Sequence, residues 1–317
     1  MTASSVNPQS VNAQSSLHGA ELKRRIVEFA RGTSTEIAPH DEGLVPELAN
    51  TLPRGTTVYV AHTPKAALAD VVRIAVKVQA AGMNASPHIV ARRIESAQLL
   101  RAALRDLRAS GVEQVLLVAG DRNPPAGEFT STLEILESGA IAESGIPRVG
   151  IAGHPEGHPA VGPEVLWGAL AKKQEYAART GTRMHIATQF SFNPEAVLAW
   201  DRHLGEHGIT LPVHVGIAGP TPLPKLIKYA MMCGIGASLG KLGTGLGLVG
   251  RVAGLATSPD EMLIALVKGS AARGPTRLAH PHFYAFGGVM ATARWLRGVV
   301  DGTFELDRAG EKFAVKE

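Results

Sequence analysis

The stretch QVLLVAGDRNPP, residues 114–125, shows the pattern from which the fold is predicted. It runs from apolar residues through Gly120 into polar residues typical of a turn. A short apolar run bounded by turn residues is the pattern of a strand that is buried on both faces. Other stretches share it, so the sequence predicts eight strands, at 34–38, 57–62, 85–91, 114–120, 148–153, 184–190, 212–217 and 282–286. A single carboxylate, Asp121, directly follows the fourth of them.

Helix-like segments separate these strands. Residues 64–82 and 96–111 carry apolar residues three and four positions apart, and both segments end in glycine. Similar segments cover 131–145, 163–181, 193–208 and 222–234. Strands that alternate with helices form a parallel sheet, and eight repeats predict a closed (β/α)8 TIM barrel. The long connection at 218–281 predicts an extra helical excursion between strands seven and eight, with helices at 240–254 and 258–273.

Composition and charge narrow the class of protein. With 45% hydrophobic and 19% charged residues, the sequence predicts one globular domain, residues 19–317, behind a polar tail, 1–18, that we expect to be disordered. The net charge of +4 is dispersed, which argues against nucleic acid and suits a small anionic ligand. Without a signal sequence or a long apolar run, we expect a cytoplasmic protein with no membrane contact. The single cysteine, Cys233, excludes an intramolecular disulfide and is expected to be buried.

Polar residues recur where the predicted strands end. Barrels of this type place their chemistry at the carboxyl ends of the strands. We therefore expect one convergent site over the barrel mouth, built from Glu36, His62, His88, Asp121, His154, Glu156, His158 and Gln189.

Several segments together resemble the methylenetetrahydrofolate reductase family. They come in that family's order and read STEIAPHD (34–41), SPHIVA (86–91), VLLVAGDRNP (115–124), GIAGHPEGHPA (150–160), IATQFSFNPEAVLAW (186–200) and HPHFYAF (280–286). The resemblance implies reduction of 5,10-methylenetetrahydrofolate to 5-methyltetrahydrofolate in one-carbon metabolism. NADH or NADPH would be the hydride donor, FAD the carrier, and a homo-oligomer the expected assembly.

The resemblance also implies roles for individual residues. Glu36 matches the family's general acid, which protonates the departing folate nitrogen. Asp121 matches a catalytic carboxylate close to flavin and pterin, and Gln189 with Phe190 matches substrate-binding positions. The positions implied for the cofactor are His62, His88, Gly120, Asp121, His154, Glu156, His158, Lys172 and Lys173.

Departures from the family pattern concern the flavin. Ala119 stands where the family usually has arginine, Ala61 where it has threonine, and His154 where it has tyrosine. Three alternatives therefore stay open: direct hydride transfer to folate without flavin, a corrinoid- or folate-linked methyltransferase, and a non-catalytic folate-binding barrel. The sequence leaves the direction of the reaction open as well, so oxidation of 5-methyltetrahydrofolate is a further alternative.

Two further motifs are interpreted as neither a dinucleotide fingerprint nor a metal site. GLGLVG (245–250) fits a dinucleotide fingerprint formally, but it lacks the preceding strand and an acidic residue about 20 positions later. His154 and His158 have metal-ligand spacing, yet Pro155 and Pro159 argue against the continuous helix that would place them on one face. We therefore expect no metal site.

Overall fold

The computed structural model describes residues 19–232, 256–257 and 259–316. Eight parallel strands close into a barrel in the order β1-β10-β7-β6-β5-β4-β3-β2. The barrel strands are β1 (Ser34–Ile37), β2 (Thr57–Val60), β3 (Asn84–Val90), β4 (Gln114–Val118), β5 (Arg148–Gly153), β6 (Arg183–Thr188), β7 (Val213–Ala218) and β10 (Leu278–Tyr284). The predicted TIM barrel is therefore confirmed.

Helices cover the outside of the barrel. They are α1 (Gly19–Ala30), α2 (Val45–Thr51), α3 (Leu68–Ala80), α4 (Ala97–Ala109), α5 (Thr132–Glu137), α6 (Ala140–Ser144), α7 (Pro163–Thr180), α8 (Pro194–Glu206), α9 (Leu223–Met232), α10 (Asp260–Arg273) and α11 (Val289–Val300). Short 3-10 turns occupy Pro39–Leu44 and Ala91–Arg93. No helix among the residues described here is long and apolar enough to cross a membrane.

One predicted helix is divided in the structure. The segment 131–145 forms α5 and α6, because Gly139 between them has φ +78°, a left-handed conformation that ends the first helix. Ser131 begins α5 with a capping box, in which its hydroxyl accepts from the backbone N–H of Glu134 at 3.3 Å. The spacing of apolar residues continues across this break, and for that reason it predicted a single helix.

The connection between β7 and β10 contains the predicted excursion. Its described part comprises β8 (Thr221–Pro222), α9, β9 (Ala256–Thr257) and α10, and β8 pairs antiparallel with β9. The helix predicted at 240–254, Cys233, the GLGLVG segment and the tail at 1–18 lie outside the described residues. After α11, the strands β11 (Phe304–Leu306) and β12 (Phe313–Val315) form a hairpin.

The apolar core lies between the sheet and the helices. Val115 and Leu117 of β4 are fully buried within it, whereas Leu116 belongs to a small separate cluster with Tyr59 and Ala187. This alternation places every second residue of a strand inside the barrel. The interior at the amino ends of the strands is polar, with Ser34, Thr57, Asn84, Gln114, Arg148, His185, His214 and His280 around a cavity there.

Candidate active site

Two adjoining cavities lie at the carboxyl ends of the barrel strands. The larger, of about 1210 Å³, extends over the ends of β3 to β6 and along α7. The smaller, of about 380 Å³, lies over the ends of β1, β2 and β10. His88, His154 and Gln189 line both cavities, so a ligand in one would share its walls with a ligand in the other.

Glu36 is one of two carboxylates that line the smaller mouth cavity, the other being Asp41. It stands at the end of β1 in register with Tyr59, and its side chain is 20% exposed. Burial, with a smaller contribution from the charge of Asp41, raises the pKa of Glu36 from 4.5 to about 7. The carboxyl group is therefore present in both protonation states near neutral pH, which is what general acid–base chemistry requires.

His88 faces this carboxyl group. Its Nε2 lies 3.4 Å from Glu36 Oε2, and burial lowers the pKa of His88 to about 3. The imidazole is neutral at physiological pH, so it does not hold Glu36 in the ionised form. A cationic neighbour would have lowered the pKa of the carboxyl group instead.

Asp41 contributes to the site although the sequence patterns did not single it out. Its Oδ2 accepts from the backbone N–H of Ala38 at 2.9 Å and closes the 3-10 turn Pro39–Leu44. The bond fixes the chain that leaves β1 just after Glu36 and brings a second negative charge near it. An acidic residue three positions after Ala38 was the available signal, since it forms a cap with the turn that follows.

Asp121 lies at the rim of the larger mouth cavity. Gly120 before it has φ +84°, and a Cβ there would lie 2.3 Å from Val90 Cγ1, so only glycine fits this turn. The Asp121 side chain is 87% exposed and its Oδ1 lies 3.1 Å from Arg93 Nη2. It also borders an outer groove of about 910 Å³ between α3 and α4, but it does not line the smaller cavity that holds Glu36.

His62 connects the larger cavity to the outer groove. It is buried and lines both. Burial, followed by the charge of Arg93, lowers the pKa of His62, so its imidazole is a neutral donor or acceptor.

The loop after β5 divides the residues predicted there. His154 and His158 line the larger mouth cavity, with their rings edge to face at 5.0 Å. Burial, followed by the charges of His158 and Lys173, lowers the pKa of His154 to about 4. Glu156 is not among the lining residues, because its Oε1 accepts from the Ser191 hydroxyl at 2.6 Å.

Of the two neighbouring lysines on α7, only Lys173 faces the larger cavity. It is 8% exposed, and burial lowers the pKa of its amine to about 8. Lys172 points to solvent, because successive residues of a helix point about 100° apart. Within the described part of the chain, no hydrogen bond or ion pair engages the Lys173 amine, which leaves it available to a bound anion.

Gln189 and Phe190 follow β6 and meet the smaller cavity. The Gln189 Oε1 accepts from the Phe190 backbone N–H at 3.0 Å, which leaves the amide N–H₂ available. Phe190 packs against Phe192 and forms an aromatic wall of this cavity with Tyr229, Tyr284 and Phe286. Two phenylalanines lie near the end of β10, Phe283 within the strand and Phe286 just after it. Only Phe286 lines the cavity, whereas Phe283 packs outward on Trp295 with ring centroids at 5.5 Å.

Tyr229 completes this wall and was missed in the sequence. Its ring stacks on Phe286 at 4.5 Å with an interplanar angle of 22°, and both residues line the smaller mouth cavity. Tyr229 lies on α9, within the excursion after β7, and no periodic pattern relates it to the strand ends.

Among the residues described, no three His, Cys, Asp or Glu side chains are grouped so as to hold a metal ion.

A closed barrel with titratable side chains and two cavities at the carboxyl ends of its strands is the architecture of a (β/α)8-barrel enzyme. The model of the methylenetetrahydrofolate reductase family matches residues 38–237, and the chain belongs to that family. It is thereby placed among the folate-related one-carbon reductases. The match contains the mouth residues from His62 to Phe190 and begins two positions after Glu36.

A solved structure of a dihydropteroate synthase from Thermus thermophilus is also similar to this chain. The two share 15% sequence identity over 83% of this chain and 91% of that one, with a TM-score of 0.42. At that score the likeness carries no argument about function.

Proposed function

We propose that this protein is a methylenetetrahydrofolate reductase that interconverts 5,10-methylenetetrahydrofolate and 5-methyltetrahydrofolate, with NADH or NADPH as hydride donor and FAD as carrier. The observation that carries the proposal is Glu36, a buried carboxyl group with a pKa of about 7 in a cavity with an aromatic wall. A planar pterin fits such a wall, and the carboxyl group can supply a proton beside it.

The proton has a defined role in the reduction. The bond between the bridging carbon and one folate nitrogen breaks, and that nitrogen takes the proton of Glu36. The carbon remains bound to the other nitrogen as an iminium and accepts hydride, which gives the methyl group. In the opposite direction Glu36 accepts the proton, and its pKa of about 7 suits both directions.

Binding of the pterin is assigned to three residues. The Gln189 amide can donate to the ring, and Phe190 contributes apolar surface. A pterin presents an amino group beside a ring N–H, a pair that a carboxylate accepts side by side, and Asp121 is the candidate for this contact. Because Asp121 is exposed and paired with Arg93, this contact requires its side chain to turn from the rim toward the ligand.

The larger mouth cavity is large enough for a flavin and contains one buried cationic side chain that suits a phosphate. Its volume of about 1210 Å³ exceeds that of most small-ligand sites, which hold about 300–1,000 Å³. Lys173 supplies a buried amine for a phosphate, while His62, His154 and His158 offer neutral imidazoles. When bound, FAD supplies a two-electron carrier between the nicotinamide and the folate.

The arginines of this cavity favour one second candidate, direct hydride transfer from NAD(P)H to folate. Arg92 donates to the backbone carbonyls of Arg122 at 3.1 Å and Thr130 at 3.2 Å. Arg93 is paired with Asp121, and Ala119 lines the cavity where the family usually has arginine. Among the described lining residues, these arrangements leave Lys173 as the cation available to a diphosphate. One amine gives little positive charge for the diphosphate of FAD.

The deciding experiment is a visible absorption spectrum of the purified protein, before and after NADH and then methylenetetrahydrofolate. Flavin bands that bleach with NADH and return with the folate support the reductase with FAD. Consumption of NADH without flavin bands, even after incubation with FAD, supports direct transfer. If neither NADH nor NADPH is consumed, the reductase proposal is wrong, and a methyltransferase or a folate-binding barrel takes its place. The oxidative direction is tested with 5-methyltetrahydrofolate and an electron acceptor.

A further inference from the structure

A further, polar cavity lies at the opposite end of the barrel from the mouth. It has a volume of about 330 Å³ and is surrounded by the polar residues at the starts of the barrel strands. We call it the lower cavity. The interior of such barrels is normally filled by branched apolar side chains, so a polar cavity at this end requires a reason.

Three histidines form one wall of the lower cavity. The rings of His185 and His214 stack with centroids at 3.9 Å, and those of His214 and His280 lie at 3.7 Å. The hydroxyl of Tyr59 hydrogen-bonds His185 Nε2 at 2.8 Å from the inside of the barrel. The wall is therefore fixed from within, while its outer face lines the cavity.

Two glycines make room for these rings. A Cβ at Gly150 would lie 2.8 Å from His185 Nε2, and one at Gly32 would lie 2.6 Å from His280 Cδ2. Neither glycine has a positive φ, so close approach of an imidazole is what requires glycine at these positions. The arrangement is thus built into the backbone of β5 and into the turn before β1.

Two arginines give the cavity a positive charge. Arg148 and Arg183, register partners at the starts of β5 and β6, both line it. The Nη2 of Arg148 lies 3.2 Å from Glu113 Oε2, while its Nε is buried without a hydrogen-bond partner in the described structure. Among the described residues that line the lower cavity there is no aspartate or glutamate.

We propose that the lower cavity is a binding site for a small oxyanion of the phosphate class, distinct from the folate and nucleotide sites at the mouth. Two guanidinium groups and the imidazoles of the three histidines around one space provide the charge and hydrogen bonds that such an anion requires. A metal ion is the poorer occupant, because the described residues, the three stacked histidines included, contain no group of three side chains that could hold one. A bound anion would tie the starts of β5 and β6 to those of β7 and β10.

Isothermal titration of the full-length protein with sodium phosphate tests this site, with sodium chloride of equal ionic strength as the reference. We expect saturable binding of one phosphate per chain in the millimolar range or tighter. Arg183→Gln should weaken it about tenfold or more, since the substitution removes one of the two charged donors. The side chain of Arg183 is exposed, so this substitution removes charge without opening the core.

Two control variants separate the lower cavity from other cationic places. Arg202→Gln makes the same chemical change on the exposed face of α8 and should bind phosphate as the wild type does. Lys173→Gln removes the buried cation of the larger mouth cavity and therefore detects any phosphate that binds there instead. If Lys173→Gln abolishes binding while Arg183→Gln does not, the phosphate lies at the mouth and the proposal is overturned.

A measurement on the unaltered protein completes the test. Phosphate should shift the imidazole NMR signals of His185, His214 and His280, while chloride should not. Absence of saturable binding to the wild type, or of these shifts, overturns the proposal. Neither measurement uses folate or a nicotinamide, so a failure here is independent of the function proposed for the mouth.

Discussion

Glu36 owes its chemistry to its surroundings more than to its type. An exposed glutamate is ionised at neutral pH and cannot serve as an acid there. Burial at the end of β1 raises the pKa of this one to about 7, and the neutral imidazole of His88 does not oppose the shift. This single carboxyl group should therefore affect both activity and stability.

The first prediction concerns activity. Glu36→Gln keeps the size of the side chain but cannot donate a proton to the folate nitrogen, so methylenetetrahydrofolate reduction should fall by about 10²–10⁴-fold. Reduction of any bound flavin by NAD(P)H, followed by stopped-flow absorbance, should be unaffected. Glu47→Gln, the same change on the exposed α2 helix, is the control. Equal loss of both half-reactions in Glu36→Gln would show that Glu36 has another role.

The second prediction concerns stability. The pKa of Glu36 is 4.5 when unperturbed and about 7 in the fold, so the folded chain binds more protons between these pH values. Stability from this group is present below pH 4.5 and is lost as the pH rises toward 7. Relative to the wild type, Glu36→Gln should therefore gain about 3 kcal/mol in free energy of unfolding between roughly pH 4.5 and pH 8. Urea unfolding at both pH values measures this gain, and a pH-independent difference would contradict it.

At the scale of one strand or helix, two glycines in neighbouring elements differ in whether the surroundings leave room for a side chain. Gly150 in β5 lies against Leu116 Cδ1, where a Cβ would approach to 2.9 Å, and against His185. Gly168 in α7 is exposed, and a Cβ there would meet nothing within 4 Å. The same substitution should therefore have opposite signs at the two positions.

Gly150→Ala should destabilise the protein by about 1–3 kcal/mol, because an added methyl group overpacks the barrel interior. Gly168→Ala should stabilise it by about 0.5–1 kcal/mol through helix propensity. Thermal or denaturant unfolding of the matched pair measures both effects. Stabilisation by Gly150→Ala would mean that the interior relaxes around the methyl group and that close packing does not require glycine there.

At the scale of the whole molecule, the barrel encloses histidines that stay neutral. Burial lowers the pKa of His185 to about 3 and of His280 to about 4, and holds those of His214 and His282 well below 6.5. The unfolded chain takes up these protons near pH 6.5, so the unfolded state gains stability as the pH falls below that value.

We therefore expect acid sensitivity, with a loss of roughly 1 kcal/mol per buried histidine between about pH 7 and pH 5.5. Denaturant unfolding at both pH values measures the loss. His214→Gln should reduce this loss in the free energy of unfolding by the contribution of one histidine. His203 is half-exposed on α8, so His203→Gln should leave most of the loss in place. A free energy of unfolding that is constant over this range would contradict the assignment of these histidines as buried and neutral.

The sequence by itself determined the barrel and the positions from which its mouth is built. Apolar strand patterns alternate with glycine-terminated helix patterns along the chain, and each pattern depends only on residues close together in sequence. All eight strands could therefore be predicted to within a few residues of their observed ends. The carboxyl end of each strand then fixed the side of the barrel on which Glu36, His88, Asp121 and Gln189 lie. Their individual roles remain predictions.

The tertiary structure alone decided which of these side chains face a cavity. Lys173 rather than Lys172 points inward, Glu156 turns to Ser191, and Asp121 stands at the exposed rim. Burial, and therefore the pKa of Glu36, depends on residues that are far apart in the chain and meet only when the barrel closes. For the same reason the aromatic wall with Tyr229 and the polar lower cavity appear only in three dimensions, because no sequence period links their parts.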